Sequence, residues 1–236
     1  MECYVNGGKP SDAFLAADGC QETPSEDAHD AQGADTAGCG PEREAEPDCI
    51  AAIRAKYEAG PRRYKGVRMI FQDEAGFGRI TTPSYCWCER GMRPSVPCHR
   101  IREYVYAYGG VDPVSGDSFF LILPKCNTEM MNLYLKGLSE RFSDDLLLVC
   151  CDGASWHKSK GMEVPENIVL FFIPPYTPEM NPIEQIWKEL RSRGFKNVLF
   201  KTLKKVEDKL VEVIQDLKNT TVKSITCRDW ILKCFN

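Results

Sequence analysis

Three acidic side chains, Asp73, Asp152 and Glu184, are the residues of this sequence best placed to do chemistry together. Asp73 ends the largely apolar run Val67-Arg68-Met69-Ile70-Phe71-Gln72, and Asp152 directly follows Leu146-Leu147-Leu148-Val149-Cys150-Cys151. Both runs read as buried strands that finish on an acid, and in an open α/β sheet ligands collect in the crevice at the carboxyl ends of parallel strands. Glu184 follows Asp152 by 32 positions (184 − 152), room for another strand and a connection. Carboxylates gathered from three elements repel one another unless cations lie between them. Hard oxygen donors suit Mg²⁺ or Mn²⁺, and two such ions about 3.5–4 Å apart can activate the attacking oxygen and stabilise the leaving oxygen of an in-line phosphoryl transfer. Each acid also has a plainer use: either Asp alone fits a turn or a helix start, and Glu184 fits a capping arrangement or a pairing with Lys188.

The elements that must position these groups follow from the hydrophobic pattern. After the Val67–Gln72 strand, residues 102–111 and 117–123 alternate around the turn-rich Asp112-Pro113-Val114-Ser115-Gly116, which predicts a hairpin and an opening set of three antiparallel strands. Helical spacing over 127–142 puts Met130, Met131, Tyr134, Leu135 and Leu138 on one face, with Asn127 or Thr128 as cap. The runs 146–151 and 168–173 are apolar on both faces, as central parallel strands are, and a helix is expected between them. Helices are expected near 182–193, 203–218 and 222–233. In the first of these Asn181 fits the N-cap and Pro182 the first helical position. Ile183, Ile186, Trp187 and Leu190 then form the buried stripe, and Glu184, about 100° round from Ile183, sits at its edge.

Composition frames the same domain. Residues 1–50 hold 2 Lys/Arg against 12 Asp/Glu and few branched or aromatic residues, so an acidic, disordered leader is expected there. A lead-in helix and linker is expected over residues 51–66, and the main folded domain over residues 67–236. The remainder, 51–236, carries 28 basic against 22 acidic residues, a surplus that permits contact with nucleic acid without demonstrating it. No apolar stretch reaches the ~18 residues of a membrane span, and the opening Met-Glu-Cys-Tyr is not a secretory start. The 12 cysteines are scattered and several lie inside apolar runs, which indicates reduced thiols. The tightest cluster, Cys86, Cys88, Cys98 and His99, lacks the usual spacing of a zinc site.

Four blocks, in order, carry a family resemblance: Gln72-Asp73-Glu74-Ala75-Gly76-Phe77-Gly78-Arg79; Cys86-Trp87-Cys88-Glu89-Arg90-Gly91-Met92-Arg93-Pro94; Cys151-Asp152-Gly153-Ala154-Ser155-Trp156-His157-Lys158-Ser159; and Pro174-Pro175-Tyr176-Thr177-Pro178-Glu179-Met180-Asn181-Pro182-Ile183-Glu184. Over about residues 55–233 the chain resembles the mariner-like DDE transposases, in particular the bacterial insertion-sequence 630 branch. The resemblance implies an RNase H-like, mixed five-stranded sheet flanked by helices with a C-terminal helical extension. It makes Asp73, Asp152 and Glu184 both the catalytic residues and the ligands of two Mg²⁺ or Mn²⁺ ions. The implied activity is cleavage of DNA at transposon ends and attack of the freed 3′-hydroxyl on target DNA, by a homodimer in a bacterial, cytoplasmic and nucleoid-associated setting.

His157 and Lys158 are candidates for a phosphate contact or for orienting a metal ligand. Arg79, Arg90, Arg93, Arg100 and Arg102 cluster around the hairpin and are candidates for tracking a DNA backbone, although scattered arginines also simply solvate a surface. Trp156 and Trp187 read as core. Two departures stand out. Gly153 occupies a position that is often Asn in the wider superfamily, though the bacterial branch tolerates Gly. Residues 1–50 also show none of the amphipathic helices of a helix-turn-helix, so a catalytic fragment served by a separate DNA-binding subunit is expected. Two competing readings keep the fold: another RNase H-like nuclease, or an inactive transposase-derived DNA- or protein-binding module.

Overall fold

Alternation along one long strand decides the architecture. In the computed structural model, which describes residues 3–5, 53, 55–58, 64–92, 94–153, 161–174, 180–229 and 231, strand β2 runs over Gly66–Ile80 at the centre of a sheet. Phe71, Ala75 and Phe77 point to one face, and Ile70 points to the other. A strand buried on both faces needs a layer on each side. The helices supply them.

The sheet order is β1 (Cys3–Val5), β4 (Ser118–Leu123), β3 (Arg100–Val111), β2, β5 (Asp145–Cys151) and β6 (Ile168–Phe172). Strands β2, β3 and β4 are antiparallel neighbours, and β2, β5 and β6 are parallel. This is the mixed five-stranded, RNase H-like sheet expected, with the three-residue strand β1 added antiparallel along β4. Helix α1 (Thr128–Arg141) covers one face through Met131, Tyr134, Leu135 and Leu138, and the Asn127 side chain caps it by accepting the Met130 N–H at 2.9 Å. Helices α2 (Ile183–Gly194), α3 (Leu203–Gln215) and α4 (Asn219–Thr226) cover the other, with Ile186, Trp187, Val206, Leu210, Val213 and Val222 in its core. None of the helices among the described residues is long and apolar enough to cross a membrane.

The β3–β4 turn shows how local sequence sets register. The Asp112 carboxylate accepts the Val114 N–H at 2.9 Å and the Ser115 hydroxyl at 2.8 Å. Gly116 follows at φ +81, where an added Cβ would also lie 2.2 Å from the Asn219 carbonyl oxygen, so a side chain there is excluded twice over. The lead-in is helical at Ile53 and over 55–58, and Lys56 fastens it to the sheet by donating to the carbonyls of Glu166 and Ile168 at 3.0 and 3.1 Å. The rest of the expected acidic leader and the helix expected between β5 and β6 fall on residues 6–50 and 154–160, outside the described residues.

Candidate active site at the end of the parallel strand pair

Parallel pairing of β2 with β5 sets Phe71 opposite Cys150. Two residues further along each chain this register brings Asp73 alongside Asp152. The pleat sends both to the face that carries Phe71 and Cys150, the face covered by α2. Asp73 is half-buried and Asp152 exposed at the mouth of the crevice.

Helix α2 is tied to this spot at two points three residues either side of Glu184. The Asn181 side-chain amide donates to the Gln72 carbonyl at 3.1 Å, and the Trp187 indole N–H donates to the Asp73 carboxylate at 2.9 Å. Trp187 lies one turn past Glu184 on α2, and Asn181 lies just before the helix begins. The turn bearing Glu184 is therefore held against the strand bearing Asp73. The fit is tight elsewhere too, since a Cβ on Gly109 would come within 2.5 Å of the Trp187 ring. Phe77 and Phe120 pack edge-on to that ring at centroid distances of 6.3 and 5.9 Å.

This overturns the reading of Asn181 as N-cap. Its side chain makes no capping bond, Pro182 occupies the cap position, and the amide is spent on Gln72 instead. Donation from Nδ2 to Gln72 fixes the side chain in the buried helix start, where Asn181 is only 8% exposed and its Oδ1, the atom a cap would use, accepts no N–H.

Burial drives the Asp73 pKa up from 3.8 to about 6. The Trp187 hydrogen bond and the Glu74 backbone N–H work against that rise, and the negative charges of Glu74 and Asp152 add to it. A carboxylate whose charge is opposed by burial and by neighbouring acids is one that a divalent cation would relieve. The donor chemistry of Asp73 and Asp152 thus fits a hard metal ion. Glu184 is half-buried on the adjoining turn, but no three His, Cys, Asp or Glu side chains among the described residues converge as a ready metal cluster. The structure brings Asp73 and Asp152 together and leaves the Glu184 carboxylate outside that pair.

Of the other candidates, Arg79 has a different role from the DNA contact expected. Its guanidinium donates to the carbonyls of Phe200 and Lys201 at 3.2 and 2.6 Å and to Glu103 at 2.8 Å, and its side chain is 13% exposed. It clamps the segment before α3 onto β2. Arg90, Arg100 and Arg102 are exposed, whereas Arg93, Trp156, His157 and Lys158 lie outside the described residues. Cys86, Cys88 and Cys98 are exposed free thiols. Trp187 and Asn181 are the site residues that sequence reasoning missed, and their flanking of Glu184 at three residues either side was the available sign.

An α/β fold of this order with an acidic crevice at its parallel strand ends belongs to the class of RNase H-like proteins. The chain matches the DDE superfamily endonuclease family over residues 68–207, more than half its length, and belongs to that family. It is 36% identical over 99 residues to a protein of Sinorhizobium fredii (strain NBRC 101917 / NGR234) named Uncharacterized protein y4pE/y4sA, covering 42% of this chain and 73% of that one. Among solved structures it is similar to the Mos1 transposase paired-end complex with left transposon end, at TM-score 0.53 and 12% identity over 81% of this chain. The pre-cleavage Mos1 transpososome matches at TM-score 0.52 and 14% identity over 75% of this chain. The chain spans 62% and 55% of those two Mos1 chains, so the likeness is one of fold.

Proposed function

We propose that this chain is the catalytic domain of a DNA transposase of the bacterial insertion-sequence 630 branch, with residues 67–236 as the catalytic unit and Asp73, Asp152 and Glu184 as its working acids. The observation that carries the reading is the convergence at one strand end: register puts Asp73 beside Asp152, and Trp187 and Asn181 hold the Glu184 turn against them. Family membership supports the same reaction class, and the Mos1 chain of like fold was captured with a transposon end.

In this reading Asp73, Asp152 and Glu184 would hold two Mg²⁺ or Mn²⁺ ions, which when bound supply charge stabilisation for the attacking and leaving oxygens of phosphoryl transfer. The protein's own part is positioning. Trp187 fixes one Asp73 oxygen so that the carboxylate presents the other toward the crevice, and the apolar wall of Phe77 and Phe120 keeps the indole from turning away. Water and then a DNA 3′-hydroxyl serve as successive nucleophiles, and a homodimer handles the two transposon ends.

The test is nicking of a supercoiled plasmid with Mg²⁺ or Mn²⁺ by the purified chain beside Asp152→Ala and Glu184→Ala. Nicking by the parent that both variants lose is the expected result. Nicking that survives both substitutions, or a folded parent inert on plasmid and on transposon-end DNA, overturns the reading.

A further inference from the structure

A groove of about 500 Å³ opens just beyond the acidic pair, between the second half of β2 and helix α2. Gly76 and Gly78 of β2 form one wall, Lys188 and Arg191 of α2 with Lys196 beyond it form the other, and Tyr104 of β3 lies alongside. None of its lining residues is acidic. The exposed apolar lining comes from Ile80, Tyr104 and Val198, with Phe77 and Phe200 buried beneath it, and the Arg191 guanidinium stacks over Phe77 at 5.1 Å while donating to the Gly76 carbonyl at 3.4 Å. Lys188 and Lys196 are exposed, Lys196 donating to the Ser192 hydroxyl at 3.0 Å.

The groove continues the site. Gly76 is three residues past Asp73 along β2, roughly 10 Å at about 3.3 Å per residue. Lys188 and Arg191 follow Glu184 by one and two turns of α2, on the side of the helix that faces β2. The negative charge of Asp73 is felt at Arg191, which marks where the acidic crevice gives way to the basic groove.

We infer that this groove binds the DNA strand leading away from the scissile phosphate, the three cations meeting phosphates, and Tyr104, Ile80 and Val198 meeting sugars and bases. Roughly 10 Å corresponds to about three nucleotide rises at ~3.4 Å each, so a strand entering at the carboxylates reaches Lys188 and Arg191 within that span and meets Lys196 farther on, beside Thr82. Carboxylates repel phosphate and a basic groove attracts it; placing the second directly after the first lets DNA be held without crowding the acids that must take cations. Glycines at 76 and 78 let a backbone lie close to β2, and apolar walls beside cations are how single strands are bound with little sequence preference.

The inference rests on the transposase reading, and its test separates the two. Binding of a fluorescein-labelled single-stranded DNA oligonucleotide is measured against salt, in metal-free buffer, for the full chain, for Lys188→Ala/Lys196→Ala, and for Lys125→Ala/Lys136→Ala. The last pair removes the same charge from exposed positions at and near helix α1, on the opposite face of the sheet. The groove variant is expected to bind about tenfold more weakly, with a log K against log salt slope shallower by roughly 1.4 for two lost phosphate contacts. The control pair is expected to track the parent. Equal weakening by both pairs, or an unchanged slope in the groove variant, overturns the groove assignment even if the parent nicks DNA. An acidic peptide that outcompetes the oligonucleotide at the groove overturns the choice of ligand. A parent that neither binds nor nicks DNA overturns both readings, whereas loss of nicking in Asp152→Ala with oligonucleotide binding retained supports both.

Discussion

The two ends of the parallel-paired stretch of β2 and β5, which runs from Gly66 opposite Asp145 to Phe71 opposite Cys150, handle acid in opposite ways. At its start Arg68 ties together three aspartates, donating to Asp112 at 3.1 Å, to Asp117 at 2.8 Å and to Asp145, and so joins β2 to the hairpin and to β5. Burial works against the Arg68 charge, but the hydrogen bond and charge of Asp145, with the charges of Asp112 and Asp117, raise its pKa. Asn219 extends the cluster to α4 by donating to Asp117 at 2.8 Å. At the other end Asp73 and Asp152 stand together, and no ion pair to Asp73 is found among the described residues. Its pKa rises to about 6 instead of falling. Acids meant to hold the fold are given a resident cation. Asp73, kept without one beneath a crevice, retains its demand for a cation from outside.

The contrast predicts that damage at the two ends reads out differently. The largest effect is expected from Asp73→Ala, which should lower metal-dependent plasmid nicking by about a thousandfold or more while leaving the far-UV circular dichroism unchanged. A drop smaller than tenfold in the folded variant would remove Asp73 from the chemistry. Arg68→Met should do the reverse. Urea unfolding should show a loss of about 2 kcal/mol, less than the 3–5 kcal/mol of a fully buried pair because the Arg68 side chain keeps 28% exposure, with nicking per folded molecule preserved. If the Arg68 variant is as stable as the parent, the three aspartates do not need their cation and the comparison fails.

Trp187→Phe sharpens the distinction at the site itself. It removes one hydrogen bond to a carboxylate, worth about 1.5–3 kcal/mol, and keeps most of the ring packing. Nicking should fall about tenfold with the fold intact. In ¹H–¹⁵N spectra of the metal-free protein, the indole N–H signal that disappears in Trp187→Phe should move in Asp73→Asn. An indole signal indifferent to residue 73 would show that the bond does not persist in solution.

A further effect is expected in pH. Because the folded Asp73 pKa lies near 6 against an ordinary 3.8, the folded chain holds this proton more tightly than the unfolded chain does. Stability from this group is therefore full below pH 3.8 and declines as pH rises through 6. At ~1.4 kcal/mol per pKa unit the decline is at most about 3 kcal/mol. Asp73→Asn should raise the melting temperature of the metal-free protein at pH 7.5 and leave it unchanged at pH 3.5. The same gain at both pH values would mean that the Asp73 charge is not what opposes folding. Millimolar Mn²⁺ should narrow the gap between parent and variant at pH 7.5.

Much of this molecule was legible in its chain. The strand run that stops before Asp152, the hairpin around Asp112 and Gly116, the Asn127 cap and the Ile183/Ile186/Trp187/Leu190 stripe stand where the pattern put them, whereas β2 does not finish at Asp73 but runs on to Ile80, paired there with β3. Three side chains were misjudged or missed, all for one reason. Asn181 before a helix looks like a cap, yet its partner is Gln72, 109 residues away. Arg79 beside other arginines looks like a phosphate contact, yet its partners include Phe200 and Lys201, 121 and 122 residues away. Trp187 looks like core and is core, but its one polar atom reaches Asp73, 114 residues away.

The sequence alone determined which segments start strands and helices and that Asp152 follows a central strand, because side-chain periods of 2 and 3.6 residues and the chemistry of turns act within a few residues. Only the tertiary structure decided that Asp73 and Asp152 share a face, that Trp187 and Asn181 hold the Glu184 turn against them, and that Arg79 is a clamp. Those outcomes depend on sheet register and helix docking, which bring together residues from 79 (152 − 73) to 122 positions apart and give a buried donor whichever acceptor lies within reach.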